Sequence, residues 1–117
     1  MRQMIVENNI FHICEGKGYV SFRYEGVTEE GTSLYHLEKL YVMPNAQGSG
    51  LGKEMFDCVV RCVRELSPEG SRIELNVNRN NRAVSFYEHI GMKKARQGDF
   101  PIGNGFYMND YIMSIDL

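Results

Sequence analysis

Gln47-Gly48-Ser49-Gly50-Leu51-Gly52 carries three glycines on alternate positions, at the junction between a β-prone run, His36 to Met43, and an amphipathic run, Leu51 to Leu66. That spacing suits anion binding. Without Cβ atoms in the way, consecutive backbone N–H groups can converge on one point, and the start of the following helix adds the positive end of its dipole. A merely flexible connection needs one or two glycines. Two familiar phosphate loops are excluded by counting. A P-loop has four residues between its glycines and then Lys-Ser or Lys-Thr, whereas here three residues separate Gly48 from Gly52, and Lys53 precedes Glu54. A dinucleotide fingerprint starting at Gly48-x-Gly50 would need a third glycine where Lys53 stands.

The elements around this junction follow from periodicity. Leu34 to Met43 reads as a strand ending at Pro44, with Pro44-Asn45-Ala46 as punctuation. Leu51, Met55, Val59, Cys62, Val63 and Leu66 recur at three- and four-residue steps, which predicts a helix stopped by Ser67-Pro68-Glu69-Gly70. Arg72 to Val77 alternates Ile73, Leu75 and Val77 with polar residues and reads as a strand reached by a helical crossover, hence parallel to the preceding one. Asn80 or Asn81 then offers an N-cap, Ala83 to Ile90 a helix, and Gly91 its C′ residue. Upstream, Ile10 to Glu15 and Tyr19 to Tyr24 flank Gly16-Lys17-Gly18 as a hairpin, followed by a loop from Glu25 to Ser33. The chain closes with two β-prone stretches, Met92 to Phe100 and Phe106 to Leu117, joined through Pro101-Ile102-Gly103-Asn104-Gly105. The order β-β-β-α-β-α-β-β is that of an α/β domain with a mixed sheet, and 117 residues fit one domain, 1–117.

A formal net charge of −2 argues against a nucleic-acid surface, which would show a basic stripe. No apolar run reaches transmembrane length, and Met1-Arg2-Gln3 leads into no signal-peptide core, so a cytoplasmic protein away from membranes is expected. Cys14, Cys58 and Cys62 form no C-x-x-C unit, and Cys58 and Cys62 have no histidine near them in sequence, so the three read as reduced thiols and no metal site is expected.

Two further segments give the loop a context. Q-x-x-G-x-G, carried by Gln47, Gly50 and Gly52, resembles the acyl-CoA pyrophosphate loop of the Gcn5-related N-acetyltransferases. Asn80 to Met92 resembles the family's N-x-x-A-x-x-F-Y-x-x-x-G-F segment, with Met92 at the usual aromatic, and Leu37 to Pro44 resembles its central strand. The likeness covers residues of about 36 to 92 in the family's order. It implies an acyl-CoA N-acyltransferase fold and transfer of an acetyl group from acetyl-CoA to a primary amine of a small molecule or peptide, by direct attack in a ternary complex. It assigns pyrophosphate contacts to Gln47, Gly48, Ser49, Gly50, Leu51 and Gly52, with Lys53 at the helix start. The pantetheine arm is assigned to Leu40, Tyr41 and Val42, and further cofactor contacts to Asn80 and Tyr87. The family normally begins with another strand and two helices. Only nine residues precede Ile10, so those elements are expected to be missing, leaving the Ile10 to Glu15 edge for a second copy to cover in a homodimer.

Acetyl transfer needs a held donor, a neutral amine, a stabilised oxyanion and a proton for the departing thiolate. With an ordinary phenol pKa near 10 against about 8.5 for a thiol, Tyr87 is protonated at neutral pH and can supply that proton; the alternative is that Phe86 and Tyr87 are both core aromatics. Glu38 is the candidate general base. His36 shares its strand face by the period of two and is an equal choice, while a cross-strand ion pair is the plain alternative for Glu38. The alternative, made credible by the missing front elements, is a non-catalytic acyl-CoA-binding or regulatory module.

Overall fold

The computed structural model describes residues 2–103 and 106–117. In chain order these form β1 (Arg2–Glu7), β2 (Ile10–Glu15), β3 (Gly18–Val27), β4 (Ser33–Val42), a 3-10 turn (Pro44–Ala46), α1 (Leu51–Leu66), β5 (Ser71–Asn78), α2 (Ala83–His89), β6 (Lys93–Gly103) and β7 (Phe106–Asp116). The chain divides into two compact units, Met1–Ile73 with Leu117, and Glu74–Asp116. None of the described helices is long and apolar enough to cross a membrane.

The first unit orders its strands β1-β2-β3-β4, each pair antiparallel, and lays α1 across β3 and β4. Met55, Phe56, Cys58, Val59 and Val63 form the buried stripe of α1, over a floor that includes Ile13, Val20, Phe22, Tyr35 and Leu37. Two sequence expectations shift here: Phe56 is buried, whereas Leu66 is half exposed in the last turn. A hydrogen bond of 2.8 Å between the Tyr35 hydroxyl and Ser67 Oγ, both buried, ties the end of α1 to β4. At the other end, a Cβ on Gly18 would stand 3.1 Å from Leu51 Cδ2 and 3.2 Å from Met55 Cγ. The missing side chain thus lets the first turn of α1 settle onto the start of β3.

The start of the chain corrects one expectation. Arg2–Glu7 is a strand, and it pairs with β2 from Arg2↔Glu15 to Glu7↔Ile10. Asn8 and Asn9, with φ of 52° and 65°, make the two-residue turn; asparagine tolerates this left-handed region, and such turns match the twist of a hairpin. The observed order is therefore β-β-β-β-α-β-α-β-β, and the unpaired edge belongs to β1, not to Ile10–Glu15. Nothing helical stands between β1 and β2. Similarly, the loop expected over Glu25 to Ser33 shrinks to 28–32. Gly26, at φ 108°, sits at a register shift that lets the β3–β4 ladder continue to Val27↔Ser33.

In the second unit, β7 lies between β5 and β6, and β6 pairs antiparallel with β7. Pro101 to Gly103, expected in a connection, belongs to β6 instead; Asn104 and Gly105 lie outside the described residues. Proline is tolerated there because β6 is an outer strand. The Arg96 guanidinium holds the buried Glu74 carboxylate at two points, Nη2–Oε1 3.1 Å and Nη1–Oε2 3.4 Å. Helix α2 ends at His89, one residue sooner than expected, and Gly91 follows at φ 109°. An Ala there must adopt the same left-handed angle. Gly91→Ala is expected to cost about 1 kcal/mol, seen as a fall of roughly 4 °C in Tm by calorimetry. An unchanged Tm would show that the helix end does not depend on this angle.

Candidate functional site

β4 runs out at Val42, and Pro44 opens a single 3-10 turn that delivers the chain to the glycine loop. The loop is strapped in place. Gln47 Nε2 donates to the Val42 carbonyl at 3.1 Å, and both the backbone N–H and the hydroxyl of Ser49 donate to the Ala46 carbonyl. Gly48 and Gly50 hold φ of 84° and 88°, and a Cβ on either would meet nothing within 4 Å. Backbone angle therefore demands glycine at both, while the space in front of them is open. Helix α1 makes its first bond from Glu54 N–H to the Gly50 carbonyl at 3.1 Å, and no side chain caps it. The N–H groups of Leu51, Gly52 and Lys53 consequently have no acceptor among the described residues. Open donors at the positive end of a 16-residue helix suit an anion. The Lys53 side chain is exposed and paired to Asp57 at 3.0 Å one turn on.

Upstream, the β4 ladder is interrupted. Phe22 pairs with Leu37 and Ser21 with Lys39, so Glu38 is the extra residue of a β-bulge. The bulge resets the strand's phase: Tyr35 and Leu37 are buried, Glu38 and Lys39 are exposed, and Leu40 and Val42 are half-buried beside an exposed Tyr41. Glu38 Oε1 lies 3.2 Å from Arg23 Nε, the cross-strand ion pair that was its plain alternative. His36 presents a different picture. Its Nε2 is buried and has no hydrogen-bond partner. Of the two candidate bases on this strand, one is occupied by a cation and the other keeps an unsatisfied nitrogen.

In the second unit, the N-cap position of α2 falls to Arg82, which makes no side-chain cap bond, and Asn81, one residue before it, accepts the Ala83 N–H on its Oδ1 at 2.8 Å. Asn80 uses its N–H on Asn78 Oδ1, at 2.9 Å, and is exposed. Tyr87 is half-buried, with the Phe86 ring edge-on at a centroid distance of 5.4 Å. Burial pushes the Tyr87 phenol above its ordinary pKa, so it keeps its proton. Core packing near α2 falls to Val84 and Met92. Sequence reasoning missed Asp110, which is 2% exposed on β7 with Oδ1 lacking a partner; a lone aspartate in a β-prone run gives no signal of burial. Cys14 is exposed, Cys58 is buried and Cys62 half-buried; burial, reinforced by Cys58, raises the Cys62 thiol. The described residues gather no group of three or more metal-binding side chains.

The model of the acetyltransferase (GNAT) domain matches residues 1–114 of the chain. Among solved structures, Arabidopsis thaliana NAA60 in complex with a bisubstrate analogue is 18% identical, with a TM-score of 0.78 over 95% of this chain and 78% of that one. The ribosomal-protein-S18-alanine N-acetyltransferase of Escherichia coli is 16% identical, with a TM-score of 0.68 over 95% and 71%. Arabidopsis thaliana Naa50, in complex with the bisubstrate analogue CoA-Ac-MVNAL, is 19% identical, with a TM-score of 0.71 over 92% and 72%. At such identities the likeness is one of fold. A search of curated protein sequences finds no significant match.

Proposed function

The chain belongs to the GNAT acetyltransferase family, and from that premise we propose that it moves the acetyl group of acetyl-CoA to a primary amine by direct attack in a ternary complex. The observation that carries this reading is the cradle. Left-handed Gly48 and Gly50, each with open space where a Cβ would stand, lead into three N–H groups without an acceptor among the described residues, a donor set suited to a diphosphate. Acetyl-CoA supplies the activated thioester. The protein's part is to bind, to orient and to move two protons.

Leu51, Gly52 and Lys53 donate their N–H groups to the diphosphate, with Gln47 and Ser49 holding the loop from behind. Leu40, Tyr41 and Val42 are the stretch assigned to the pantetheine arm, with Asn80 as a further contact. As the acceptor nitrogen bonds to the acetyl carbon and the carbon–sulfur bond breaks, one proton leaves the amine and one joins the thiolate. His36 is the acceptor of the first, because its Nε2 is unsatisfied while Glu38 is engaged with Arg23. Tyr87 donates the second.

Exchange of the two bases separates them. His36→Gln is expected to lower kcat by about 10²-fold, the usual scale for a general base, and Glu38→Gln by far less. Steady-state kinetics at saturating acetyl-CoA decide it. Equal losses would mean that Glu38 acts through water or that both residues only hold the strand.

The named substrates of the relatives favour a peptide amine as the first acceptor to try. Free-thiol release from acetyl-CoA should rise when peptides with free N-termini, or small polyamines, are added. Tight acetyl-CoA binding with no amine-dependent thiol release from either group would instead establish the non-catalytic acyl-CoA module. The direct turn from β1 to β2 favours that second reading, since the resemblance expects helices there.

A further inference from the structure

β1 is the outer strand of the first unit, and its centre is unprotected. Met4, Ile5 and Val6 are 55%, 59% and 53% exposed, three consecutive apolar residues on a free edge. Outer strands are normally blunted by charge, proline or bulges. β6, the outer strand of the second unit, carries Lys93, Lys94, Arg96 and Pro101 and breaks register at Lys94/Arg96 and Pro101/Gly103. β1 carries no register shift along its pairing with β2.

We infer that β1 is a dimerisation strand, and that its occupant is β1 of a second copy of this chain, antiparallel about a two-fold axis at Ile5. The two-residue turn makes Glu7↔Ile10 a hydrogen-bonded pair. By alternation Glu7, Ile5 and Gln3 use their backbone groups on β2, whereas Met4 and Val6 direct theirs outward. A two-fold axis relating such edges stands perpendicular to the sheet, so a residue opposes only residues on its own face. With the axis at Ile5, Met4 and Val6 exchange N–H···O=C bonds with Val6 and Met4 of the second copy.

The same register sorts side chains by polarity. Met4 meets Val6 twice, Ile5 meets Ile5, and the Gln3 amide meets the Glu7 carboxylate twice. Moving the axis to Met4 would set Gln3 against Ile5, and moving it to Val6 would set Ile5 against Glu7. Only Ile5 as centre makes the strand complementary to itself. Met4 also lines an open groove of about 320 Å³ with Ile13, Cys58 and Cys62, rimmed by Arg61 and Glu65. Val6 shares Met4's strand face, so the second copy extends this apolar floor.

Size-exclusion chromatography with light scattering on the full chain should give twice the 13.5 kDa chain mass. Ile5→Lys, at a site exposed in the single chain, sets two ammonium groups against each other and should halve that mass, with circular dichroism unchanged. In a Cys14→Ser background, Ile5→Cys should oxidise to a linked dimer on a non-reducing gel, because opposed Cβ atoms here stand roughly 4.5–5.5 Å apart. Gln3→Cys, opposite Glu7, should not. The inference is overturned if the wild type holds the single-chain mass at all concentrations, if Ile5→Lys stays dimeric, or if Gln3→Cys links as readily as Ile5→Cys.

Discussion

Gly50→Val is expected to abolish acetyl-CoA binding while leaving the protein folded. Wild type should release heat on titration with acetyl-CoA or CoA, and its Tm should rise with ligand concentration by mass action. Two effects act together in the variant. Gly50 holds φ 88°, where a β-branched residue is a genuine outlier, so the loop must either store strain of about 1–3 kcal/mol or change its path. The new methyl groups would also enter the open space at Gly50, next to the helix start proposed to hold the diphosphate. Because a Cβ on Gly50 meets no protein atom within 4 Å, the core should survive, and a modest drop in unliganded Tm would verify that. Binding as tight as wild type would remove the cradle from the account altogether, and an absence of heat from wild type would do the same.

What could be read beforehand tracks the range of the interactions involved. The glycine loop between β4 and α1, and α1 itself, were legible because glycine spacing and the 3.6-residue period are local properties, and Met55, Val59 and Val63 fall where the period puts them. β1 was not. Its turn is made by Asn8 and Asn9, which adopt left-handed angles without the glycine that usually advertises such a turn. The bulge at Glu38 was equally hidden, since it exists only in the register between β3 and β4, and the alternation of β4 alone reads as a regular strand. Consequently Glu38 and His36 looked equivalent in the sequence. Cross-strand geometry separated them, giving Glu38 an arginine and leaving His36 Nε2 without a partner. Asn80 and Asn81 likewise looked interchangeable as caps, yet the N-cap position is Arg82, and only Asn81 reaches the Ala83 N–H.

Tyr87→Phe is expected to keep acetyl-CoA affinity and to lower kcat by about 10²- to 10⁴-fold, the usual span for a positioned acid. The substitution removes one oxygen and leaves the ring against Phe86, so packing is nearly conserved. Direction of the pKa shift matters here. Burial disfavours the phenolate, so the phenol is raised above its ordinary value near 10 and remains a proton donor throughout the physiological range. In wild type any alkaline fall in kcat from loss of this proton should therefore lie above pH 10, and it should vanish in the variant. Calorimetry and steady-state kinetics on the same preparation separate the possible roles. Unchanged kcat would return Tyr87 to the packing of α2. A large loss of affinity with kcat retained at saturation would make it a binding residue, and the thiolate would then have to take its proton from water.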